Sequence, residues 1–99
     1  MSTDNPESFE REMGFSHVEF MRAVRRTYAD RAAIFHADGA DIPVGQGTVA
    51  IRMGKESERR IALLKLPVTQ ISFTFAQVSA AERSEFMQHF ELYFRRGGG

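Results

Sequence analysis

The stretch "TQISFTFA", residues 69–76, decides the architecture. Ile71, Phe73 and Phe75 fall on one side of an extended chain; Gln70, Ser72 and Thr74 fall on the other. Such alternation predicts a strand in an antiparallel sheet with one covered face and one polar face. An apolar layer must cover the phenylalanine side. The sequence supplies two amphipathic segments for it, one after the strand and one well before it.

Downstream, Ser79-Ala80-Ala81-Glu82 has the form of a capping box, with the serine hydroxyl and the Glu82 carboxylate each placed to accept a backbone N–H. In the helix that follows, Phe86, Met87, Phe90, Tyr93 and Phe94 fall on one stripe at about 100° per residue. His89 and Leu92 fall off it. Upstream, "GFSHVEF" (14–20) holds a second capping box, Ser16 with Glu19, flanked by Phe15 and Phe20 at the hydrophobic-staple positions. Phe20, Met21, Val24 and Tyr28 form the stripe of this first helix, and Glu19, Arg22, Arg25 and Arg26 lie off it.

Strand signals fill the interval. "RAAIFHA" (31–37) is a short strand ending at the turn pair Asp38-Gly39, and "DIPVGQG" (41–47), with Pro43 and two glycines, reads as an edge piece or loop. "TVAIRM" (48–53) alternates, "GKESER" (54–59) reads as a polar hairpin connection, and "RIALLKL" (60–66) reads as a central strand that ends at Pro67. The expected fold is α+β: a two-layer sandwich of an antiparallel three- or four-stranded meander with N- and C-terminal helices on one face, in the order α-β-β-β-(β)-α. Residues 1–13 are expected as a mobile acidic tail, 14–96 as the single domain and 97–99 as a glycine tail.

Composition narrows the function. Ninety-nine residues, 42% apolar and 26% charged, suit one globular domain. No apolar run approaches the roughly 20 residues of a membrane span, and the first residues are polar, so neither a membrane helix nor a secretory leader is expected. The chain has no cysteine, which removes disulfides and thiol chemistry and fits a cytoplasmic setting. Net charge is zero, and the small positive balance left outside the acidic first segment argues against nucleic acid as partner.

No catalytic, cofactor or metal motif is present. His17, His36 and His89 share no metal-ligand spacing, no GxSxG elbow occurs, and Gly45, Gly47 and Gly54 make no phosphate loop. His36, Asp38 and Asp41 cluster at a turn, which turn chemistry explains without catalysis. Two surfaces remain. If Ile61 and Leu63 face the helices, Leu64 and Leu66 join Gln70, Ser72 and Thr74 on the open sheet face, a part-apolar surface for a second copy or another protein. Arg22, Arg25 and Arg26 form a basic side on the first helix that suits phosphate or an acidic partner. The ending "RRGGG" resembles that of small carrier proteins activated at a terminal glycine carboxylate, which would make Gly98 and Gly99 the reactive arm. It follows a helix, however, where Arg95 and Arg96 complement the helix dipole and Gly97 serves as a cap. The resulting expectation is a non-enzymatic interaction module that self-associates as a homodimer through the open sheet face, with the carrier and a phosphate or nucleic-acid binder as alternatives.

Overall fold

The computed structural model describes residues 7–94. Residues 1–6 of the expected tail, Arg95, Arg96 and the three terminal glycines lie outside the described residues.

Seven elements follow in the order β1 (Ser8–Met13), α1 (His17–Thr27), β2 (Ile34–His36), β3 (Gly39–Val44), β4 (Gly47–Ile61), β5 (Leu64–Ala76) and α2 (Ala80–Tyr93). The strands form one antiparallel sheet, ordered β1-β5-β4-β3-β2. From β2 to β5 it is a meander, and α1 carries the chain from one edge of the sheet to the other. Both helices pack on the same face, because their buried side chains join those of the sheet in one core cluster. The α+β two-layer class is therefore the one read from the sequence, with a fifth strand added.

That strand comes from the segment expected to be a tail. Residues 8–13 pair with β5 from Ser8 opposite Thr74 to Met13 opposite Thr69. Phe9 stacks on Phe73 at 5.0 Å between ring centroids, and Met13 also packs against the core, so two apolar residues among acidic ones dock the segment.

Both capping boxes form as the spacing requires: Ser16 accepts from Glu19 N–H, Ser79 from Glu82 N–H, and each glutamate reaches back to its cap. The Phe15–Phe20 staple closes with ring centroids 5.8 Å apart. The α1 stripe of Phe20, Met21, Val24 and Tyr28 is buried as drawn. In α2, Phe86, Met87, Phe90 and Phe94 are buried, but Tyr93 is exposed. It rests on His89 at 4.6 Å instead, while Arg83, buried near the start of the helix, donates to the Val78 carbonyl. Helix α2 closes at Phe94, three residues before the glycine expected to cap it.

The middle of the chain departs most from expectation. "DIPVGQG" supplies most of β3, an interior strand; Pro43 is tolerated because β2 spans only three residues and pairs with Gly39–Asp41, leaving Pro43 without a neighbour on that side. "GKESER" is not a connection but part of β4, and "RIALLKL" is not a central strand. The ladder shifts register between Met53 and Glu56, so Gly54 and Lys55 share one partner position as a β-bulge. Past the Glu56–Thr69 pair β4 and β5 pair only with each other, up to a two-residue turn at Ala62-Leu63.

Candidate functional site

Four of the eight large hydrophobic side chains exposed among the described residues lie on this projecting hairpin. Leu63 is 97% exposed, Leu64 62%, Ile61 52% and Leu66 37%. The ribbon reaches roughly 20 Å past the Glu56–Thr69 pair at the usual strand rise. Its tip breaks local rules. Ala62 holds a positive φ of 55°, a position that glycine fills without cost. Arg60 stands directly opposite Lys65, and like charges across a ladder destabilise it. Such conflicts are expected where function overrides stability.

Alternation along β5 keeps Leu64 and Leu66 on the side of Gln70, Ser72 and Thr74, so these five predicted residues do share the open face. Two contacts fix the sides independently. Arg59, opposite Leu66, pairs with Glu12 of β1 at 2.7 Å on the open side. Glu56, opposite the buried Thr69, accepts the His17 N–H at 2.8 Å on the helix side. His17 also bonds through Nε2 to the Gly54 carbonyl at 2.8 Å, which ties the start of α1 to the bulge at the root of the hairpin. The condition attached to the predicted surface is not met, since Ile61 and Leu63 do not face the helices but are exposed at the tip.

Across the rest of the open face runs a charged network. His36 Nε2 lies 2.8 Å from Asp41 Oδ2, and Arg52 donates to Asp41 Oδ1 at 2.9 Å and to the Ala40 and Ile51 carbonyls. The His36 bond first, and Arg52 with it, hold the Asp41 carboxyl below its usual value, against a smaller opposing effect of burial. Both carboxylate oxygens are thus engaged. Ser72, whose hydroxyl donates to the Arg52 carbonyl at 3.5 Å, sits on β5, three strands and about 14 Å from His36 on β2, so the two form no serine–histidine relay. Among the described residues no group of three or more His, Asp or Glu could hold a metal ion.

Arg22, Arg25 and Arg26 are exposed on α1, as drawn, but on the helix layer and thus on the opposite side of the sheet from Leu64 and Leu66. The two predicted surfaces are separate. Gly98 and Gly99 lie outside the described residues. The sequence reading missed Arg59, Arg60, Ile61, Leu63 and Lys65 as one projecting element. A signal was present: residues 55–60 are charged or polar at every position, which no strand with a buried face shows.

Among the described residues no helix is long and apolar enough to cross a membrane. Comparison with protein families, curated proteins and solved structures finds no match to this chain.

Proposed function

We propose that this chain is a non-enzymatic interaction module that self-associates through its open sheet face and the β4–β5 hairpin. The observation that carries the reading is the exposure of Ile61, Leu63, Leu64 and Leu66 on a ribbon with no other strand beside it. A two-stranded hairpin alone is marginal in water, and packing against a second surface stabilises it. A second copy suits this face because both charge signs are present on it: Glu10 and Glu12 along β1, Arg52 and Arg59 on β4. A two-fold interface needs such a self-complementary patch. A chain without cysteine suits a reducing cytoplasm, and that setting is part of the proposal.

Light scattering after size exclusion tests it. The native chain should elute at twice its 11.2 kDa mass, and Leu64→Lys with Leu66→Lys should give the monomer with an unchanged circular dichroism spectrum. A native chain that stays monomeric at high concentration would refute self-association.

A further inference from the structure

We propose a second site, a cleft on the outer side of α1 that binds an amphipathic carboxylate, an aliphatic chain ending in a single carboxyl group. The cleft has a volume of about 470 Å³ and lies between α1, the β2–β3 turn and β4. Met21, Ala37 and Met53 line it together with His17, Arg22 and Arg25. That volume falls in the range of small-molecule sites. Methionine thioethers adapt to occupants of varied shape, as rigid branched side chains do not.

Charge selects the occupant. Arg11, Arg52 and Arg59 each meet a carboxylate: Glu91, Asp41 and Glu12. Arg22 and Arg25 meet none among the described residues, though both line the cleft and sit one turn apart on the same helix. A guanidinium pair above an apolar floor matches a carboxylate bound at the edge with its chain laid inward. The charge of the occupant is limited as well. Glu56, which accepts the N–H of the cleft residue His17, holds a negative charge beside the lining and disfavours a dianion such as a phosphate monoester. A monocarboxylate is the anion that gains from the arginines with the least repulsion from Glu56. This surface is distinct from the open sheet face, so the proposal stands or falls apart from self-association.

The probe is decanoate below its micelle concentration, titrated into the full chain with methionine methyls observed by NMR. Saturable shifts of the Met21 and Met53 methyls are expected. Arg22→Gln and Arg25→Gln should each weaken binding at least about tenfold, the loss of one charge-assisted hydrogen bond. Arg26→Gln, outside the cleft, should leave it unchanged, and decanol, which lacks the charge, should not saturate the site. The ligand-side comparison does not depend on any variant folding. Absence of shifts at Met21 and Met53, equal binding of decanol, equal loss from Arg26→Gln, or shifts confined to the Leu63 and Leu64 methyls of the hairpin would each overturn the proposal.

Discussion

Replacing Phe90 by alanine tests whether α2 is the lid of the core. Phe90 is wholly buried, stacked on Phe94 with centroids 4.1 Å apart and edge-on to Phe73 of the sheet at 5.0 Å. Phe20 of α1 and Phe86 each lie 6.4 Å away, so this ring touches both helices and the sheet. Truncation removes the transfer energy of the ring and leaves a cavity, together about 3–5 kcal/mol for a buried phenylalanine. Aromatic pairs add about 0.5–1.5 kcal/mol each beyond their area, which places the cost toward the upper end. A domain of this size has about 5–15 kcal/mol in total. At about 4–8 °C per kcal/mol, the midpoint of thermal unfolding should fall by roughly 15–40 °C. Circular dichroism melts and urea titration measure it, with Leu92→Ala as the control on the exposed side of the same helix. The control should stay within about 0.5 kcal/mol of the native chain. A Phe90→Ala variant within about 1 kcal/mol of the native chain would mean that α2 does not dock on the sheet.

Three further outcomes follow from individual side chains. The Tyr28 hydroxyl is buried with no hydrogen-bond partner among the described residues, so Tyr28→Phe should leave stability unchanged or raise it by up to about 1 kcal/mol in urea unfolding; a loss above that would reveal a partner for the hydroxyl. Burial also pushes the Tyr28 phenol upward, with Arg31 opposing, so its contribution is whole below about pH 10 and is lost as the pH rises further. Tyr28→Phe should flatten that alkaline loss. Asp41 is shifted the other way: its contribution is present above about pH 4 and lost as the pH falls through its lowered value. Asp41→Asn should therefore flatten the acid limb of stability against pH, by no more than about 1 kcal/mol for a partly exposed network. Thr69 is wholly buried and donates from Oγ1 to the Phe15 carbonyl at 2.6 Å. Thr69→Val should cost about 1–2 kcal/mol in the same urea assay, and a neutral result would mean that the loop before α1 does not rely on that bond.

The parts of the fold that were legible are those coded locally. A capping box spans four residues and a helical stripe a few turns, so Ser16, Ser79 and the buried sides of both helices could be read without knowing what they pack on. β5 was legible for the same reason, through three alternating apolar residues. β1 was not, because its strand pattern rests on Phe9, Arg11 and Met13 among acidic neighbours, and only pairing with β5 makes it a strand. The hairpin misled for a different reason. A strand with both faces buried and a ribbon tip with both faces in water can carry the same apolar run, and "RIALLKL" is such a run. What separates them is whether neighbouring strands extend alongside, a property of β1 and β3 and not of residues 60–66. The candidate surfaces followed the same division. Parity alone put Leu64, Leu66, Gln70, Ser72 and Thr74 on one face, and helical spacing alone put Arg22 and Arg25 on one side. The Arg60–Lys65 opposition and the His17 tether depend on a register that the bulge sets, and no local signal announces it.

The most direct test of self-association through the open face is a distance between two copies. The chain has no cysteine, so a single nitroxide label can be placed at Ser57→Cys, on the Leu66 side of the hairpin, or at Arg26→Cys on the helix layer. Pulsed electron–electron dipolar spectroscopy should give a narrow, short distance for the Ser57 label and a longer one for the Arg26 label. No dipolar coupling at Ser57, or a shorter distance at Arg26 than at Ser57, would contradict the account.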